Sequence, residues 1–188
     1  MFIQTEQTPN PASLKFLPGC EVMLRGNAEF KTAGDAPASP LAERLFKIAG
    51  VAGVFLGKDF ITVTKAGAAD WAALKPLILA EIMEHFTTGQ KVMLNEDAEH
   101  GGHIPSTAAD TDSEVVKQIK ELLDTRIRPI VAQDGGDIVF SSFENGVVYL
   151  HMRGACAGCP SSTATLKAGI EKMLKHFIPE VEEVRAVN

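Results

Sequence analysis

The sequence predicts an α+β protein, two small α+β domains joined by an acidic flexible linker. Three observations predict it. The chain has 188 residues, which suits two small domains. In both halves, short extended segments bounded by Gly, Pro and Asn alternate with capped helices. The net charge of −6 is also unevenly placed. Residues 1–88 and 113–188 each carry −1, whereas 89–112 hold one basic residue against five acidic ones.

In the first half, residues 2–6 read as a short strand. Thr8-Pro9-Asn10-Pro11 is a turn, because Asn-Pro favours turn entry. Residues 14–17 resume an extended segment, ended by Pro18-Gly19, and a short strand is expected near 28–31. Ser39-Pro40 opens a helix, with Ser at the cap and Pro at the first helical position. Leu41, Leu45, Phe46 and Ile48 give that helix an apolar face, and Gly50 stops it. Val51–Leu56 and residues 60–64 form two strands around Gly57-Lys58-Asp59. Asp70 caps a last helix through Trp71, Leu74, Leu77, Ile78, Ile82 and Phe86. Pro76 sits in its first turns, where a missing donor costs least.

Residues 89–112 are polar, acidic and punctuated by Gly and Pro, and they read as a mobile tether. His100 and His103 are chemically able to bind metal, but a tether supplies no fixed surroundings to orient them. In the second half, Ser113-Glu114 starts a helix with Val116, Ile119, Leu122, Leu123 and Ile127 at helical spacing. Arg128-Pro129 is expected to interrupt or kink it. Asp134-Gly135-Gly136-Asp137 reads as a turn. Strands over 138–143 and 147–152 flank Asn145-Gly146, the strongest short hairpin signal. A helix follows from about Ser161 to Phe177, and a third strand is expected within 181–187. This α-β-β-α-β order predicts a three-stranded sheet covered on one face by two helices. The expected division is thus 1–88, a linker over 89–112, and 113–188.

Several function classes are disfavoured. The negative charge argues against a nucleic-acid surface. No apolar run approaches the ~20 residues a membrane helix needs, so no membrane association is expected. Residues 1–6 resemble neither a secretory signal nor an Arg-rich transit peptide. Three cysteines make no disulfide framework, which points to a reducing compartment. No constellation suggests catalytic turnover, so the chain is expected not to be an enzyme.

The stretch Gly154-Ala155-Cys156-Ala157-Gly158-Cys159-Pro160 carries the chemistry. Two residues separate its cysteines, so both sulfurs can converge on one small target. Gly and Ala let the backbone approach closely, and the hydroxyls of Ser161, Ser162 and Thr163 are available to cap the helix that follows. The partial positive charge of a helix start favours thiolate, so two partly accessible thiolates are expected. Four readings compete. Ordinary loop thiols are one. A thioredoxin-like redox pair is another, although that pattern lies after an early strand and usually holds Gly-Pro between the cysteines. Structural zinc needs four ligands, and His151 and His176 lack finger-like spacing. An iron–sulfur cluster held only by thiolates needs four cysteines, which two chains would supply with Cys156 and Cys159 from each. Cys20 leaves an odd count and is expected to have no role.

The second half resembles the NifU C-terminal domain of the Nfu family of iron–sulfur scaffold and carrier proteins. The residues that carry the likeness are Arg128-Pro129, Asp134-Gly135-Gly136-Asp137 and Gly154 through Ser162, in the family's order. The first half is similar to the Nfu N-terminal domain through Gln7 to Phe16 and Trp71 to Phe86. The resemblance implies that Cys156 and Cys159 bind a [4Fe–4S] cluster shared between two chains of a homodimer. It also implies upstream cluster-assembly proteins as donors and apo iron–sulfur proteins as clients. Cys20 matches no ligand position of the family. The expected compartment is the bacterial cytoplasm, or the mitochondrial matrix for a processed chain. The Asp-Gly-Gly-Asp stretch is expected to position the hairpin rather than to touch the cluster, and the N-terminal domain to recognise clients or assembly partners.

Overall fold

The computed structural model describes residues 2–94, 113–157 and 160–187. The chain divides into two compact units, residues 1–102 and 103–188. Each has its own apolar core.

The first unit is a five-stranded antiparallel sheet with two helices. Its strands are β1 (Gln4–Gln7), β2 (Ser13–Leu17), β3 (Ala28–Phe30), β4 (Val51–Leu56) and β5 (Ile61–Lys65), in the order β1-β2-β5-β4-β3. Helix α1 (Pro40–Phe46) begins at Ser39, whose hydroxyl accepts from the Ala42 N–H, with Pro40 at the expected place. Helix α2 (Trp71–Thr87) is capped by Asp70 and contains Pro76. Leu77, expected on its apolar face, is exposed. Leu41 and Leu45 of α1 and Leu74, Ile78 and Ile82 of α2 pack with Phe16, Phe30, Val54, Leu56, Ile61 and Val63 of the sheet. Beyond α2, residues 92–94 fold back. Val92 accepts a hydrogen bond from the Ser39 hydroxyl at 2.6 Å, and the Leu94 N–H donates to Ala38 at 3.0 Å. Sequence composition did not signal that strap.

The second unit opens with α3 (Glu114–Leu122), capped by the Ser113 hydroxyl. Arg128-Pro129 does not break the helical path. It is preceded by one π turn, Leu123–Ile127, in which the Arg128 N–H reaches back five residues to the Leu123 carbonyl. Pro129 has no N–H, and its ring crowds the carbonyl four residues before it, so a wider turn relieves both defects. Helix α4 (Arg128–Gln133) follows. Strands β6 (Gly136–Glu144) and β7 (Val147–Gly154) form the hairpin around Asn145-Gly146, both at positive φ. They run two residues longer toward the turn than expected, so only Asp134 and Gly135 form the turn. Helix α5 (Pro160–Phe177) then crosses back, and β8 (Glu183–Val187) lies parallel to β7 in a β6-β7-β8 sheet. A parallel neighbour requires such a crossover. Ile119, Leu123, Ile127, Val131, Ile170 and Leu174 from the helices meet Ile138, Val148, Leu150 and Val184 from the strands.

Among the described residues, no helix is long and apolar enough to cross a membrane.

Candidate functional site

The loop after β7 is built by glycines with distinct tasks. Gly154 has φ +62° and turns the chain out of the strand. The Ala157 N–H then donates to the Gly154 carbonyl at 3.1 Å, closing a β-turn with Ala155 and Cys156 at its centre. The Ala155 N–H donates to the Gly135 carbonyl at 3.1 Å, and the Gly135 N–H to Ala132 at 3.1 Å. Gly135 has φ +79°, which an L side chain rarely adopts. The end of α4, the short turn and the cysteine loop are therefore tied together.

Gly136 is the floor of the loop. A Cβ there would stand 2.6 Å from Cys156 Sγ, 2.7 Å from the Arg153 carbonyl oxygen and 3.1 Å from the Cys156 nitrogen. The absent side chain is what lets the sulfur settle against the strand. Cys156 is 5 % exposed and packs with the core of this unit.

Beneath the floor lies an ion pair that the sequence reading missed. Arg128 donates from Nε to Asp137 Oδ1 and from Nη2 to Oδ2, both at 2.8 Å, and from Nη1 to Asp124 Oδ1 at 3.2 Å. Asp137, read from sequence as part of a turn, is a buried strand residue gripped by a guanidinium. The only sequence signal was a cation and an acid nine residues apart, flanking a helix and a turn.

The expected accessible thiolate is not what Cys156 presents. Burial, then the charges of Asp134 and Asp137, push its thiol up to about 12. Desolvation penalises the thiolate, and two carboxylates repel it, so the pull of the helix start loses. Cys156 is therefore a buried thiol that holds its proton at neutral pH, and any metal ion bound to it would have to displace that proton.

Cys159 and Gly158 lie outside the described residues, as do the side chains of the expected hydroxyl caps at Ser161, Ser162 and Thr163, whose backbone is helical. His100 and His103 also lie outside them. His151 is half-buried on β7, paired in register with Val139 and Val187. His176 is exposed near the end of α5, its ring edge-on to Phe177 at 4.9 Å. Cys20 is half-buried in the other unit, and burial raises its thiol as well. Among the described residues, no three His, Cys, Asp or Glu side chains form a group able to hold a metal ion.

Residues 3–89 match the family described as scaffold protein Nfu/NifU N terminal, and residues 119–185 match the NifU-like domain. The chain is 52% identical over 188 residues to the mitochondrial NFU1 iron-sulfur cluster scaffold homolog of Drosophila willistoni, covering 100% of this chain and 64% of that protein. It is also 52% identical over 188 residues to the protein of the same description from Drosophila persimilis, covering 100% and 65%. The chain thus spans a little under two thirds of the length of these relatives. The solution NMR structure of a NifU-like protein from Saccharomyces cerevisiae is similar at a TM-score of 0.46 and 28% identity, over 50% of this chain and 86% of that one.

Proposed function

The chain belongs to the Nfu family, with the family's N-terminal domain ahead of its NifU-like domain, and from that premise we propose that it is an iron–sulfur cluster scaffold and carrier. The observation that carries this reading is Cys156 seated over Gly136, in a Gly/Ala loop of the NifU-like domain. Cys156 and Cys159 are the ligands. One chain brings two thiols of this motif, half of what a thiolate-held [4Fe–4S] cluster needs. The working form is therefore a homodimer with one cluster at the seam.

The cluster is cargo. Its release is ligand exchange: a client thiolate attacks iron, an iron–sulfur bond to Cys156 or Cys159 breaks, and the departing sulfur takes a proton. The high proton affinity of Cys156 favours that last event. No net redox change is needed, and the protein does no catalytic turnover. Upstream assembly proteins supply the cluster and apo iron–sulfur proteins receive it, with the N-terminal domain recognising these partners. The reducing compartment is the bacterial cytoplasm or the mitochondrial matrix.

Anaerobic reconstitution with iron and sulfide tests the reading. Wild-type chain should turn brown, contain four iron and four sulfide per two chains, and double in mass. Cys156→Ala and Cys159→Ala should each stay colourless and unpaired, and Cys20→Ala should behave as wild type. Wild-type protein that stays colourless and unpaired refutes the proposal. A zinc-bridged dimer or a thiol–disulfide pair would show itself by being colourless.

A further inference from the structure

Next to the cysteine loop, a charge clamp joins α4 to β6. Arg128 is the first residue of α4, and Asp137 the second of β6. Two parallel bonds of 2.8 Å fix both the distance and the plane of the Asp137 carboxylate. The third donor, to Asp124, ties the guanidinium to the π turn. That turn adds one residue to the winding before Arg128 and so sets which side of α4 faces β6. Asp137 shares a peptide bond with Gly136, and the space over Gly136 is already taken by Cys156 Sγ. On the far side, β6 is pinned to β7 through the pairs Gly136–Gly154 and Asp137–Arg153. A displacement of Asp137 therefore passes to Gly136, the residue over which Cys156 Sγ lies.

We propose that Arg128 and Asp137 are positioning residues for the cluster: their fork sets the height of Gly136 under Cys156, and with it the depth at which Sγ meets iron. The inference rests on the scaffold reading. Neither side chain touches metal. Arginine is needed because a lysine ammonium, although equally charged, cannot hold both carboxylate oxygens in one plane.

The test uses the full chain carrying R128K. Loaded with cluster, R128K should lose iron to a chelator about tenfold faster than wild type, the scale expected when a ligand's supporting shell is removed. The iron–thiolate stretching bands in its resonance Raman spectrum should also shift. A second arm needs no cluster. In a C20S/C159S background Cys156 is the only thiol, and R128K should raise the rate of its alkylation by iodoacetamide at fixed pH. I119V, a core change on α3 at a fully buried site, supplies a variant destabilised by core packing alone. If I119V and R128K, compared at matched melting points, release iron and alkylate alike, the pair is only structural and the proposal is overturned. R128K indistinguishable from wild type in both arms overturns it too. Should R128K fail to fold, D124A, which removes the acceptor of the 3.2 Å contact and keeps both partners of the fork, replaces it; a smaller change of the same sign supports the clamp, and none refutes it. Wild-type chain that takes up no cluster defeats the scaffold reading, and the alkylation arm then decides the clamp alone.

Discussion

Replacing Gly136 by Ala puts a methyl group where three atoms already stand. Ordinary contact begins at 3.4 Å, so Cys156 Sγ at 2.6 Å and the Arg153 oxygen at 2.7 Å must each retreat by at least 0.7 Å. Two of the three atoms, the Arg153 oxygen and the Cys156 nitrogen, are backbone and cannot rotate aside. Overpacking of this kind costs about 1–3 kcal/mol, and rigid neighbours place the cost in the upper half of that range. For a domain of this size 1 kcal/mol is worth about 4–8 °C in melting temperature, so G136A should lower the transition of its unit by roughly 10–20 °C. Calorimetry on the full chain measures it. G169A is the counterpart. Gly169 lies in α5, is exposed, and has no atom within 4 Å of an added Cβ. There the same substitution should stabilise by about 1 kcal/mol through helix propensity. In the loaded protein, G136A should hold less cluster than wild type at equal iron and sulfide. A G136A protein that melts within about 2 °C of wild type and loads fully would refute the floor argument.

Other outcomes follow from the first unit. The fully buried Ser39 hydroxyl both caps α1 and donates to Val92, so S39A should cost about 2 kcal/mol in urea unfolding and free the strap over 92–94 to hydrogen exchange. His85 is fully buried, neither ring nitrogen has a hydrogen-bond partner among the described residues, and burial, then Arg44, holds its pKa below 6.5. The unfolded chain binds a proton that the folded one refuses. The neutral ring's contribution is therefore complete above about pH 6.5 and is lost as pH falls below it. Denaturant midpoints between about pH 7.5 and about pH 5 should decline for wild type and decline less for H85F.

Much of this fold was legible because its signals are local. Ser39-Pro40, Asp70 and Ser113 cap helices where they were expected, since a cap involves only the next few residues. Asn145-Gly146 places the hairpin because both positions need positive φ. The Asp134 to Asp137 stretch was read as one turn, but its two glycines are needed for unlike reasons. Gly135 is required by its own φ of +79°, which is local. Gly136 is required by a sulfur 20 positions along the chain, and no short window of sequence reports that.

By itself, then, the sequence determined the alternation of strands and helices, the two candidate ligands Cys156 and Cys159, and the likeness to one family, all from patterns spanning a few residues. Only the tertiary structure decided that Cys156 points inward as a protonated thiol, that Asp137 answers to Arg128, and that β8 runs parallel beside β7. The physical reason is that burial, pair charges and strand order depend on residues distant in the chain, and these meet only once the core has closed.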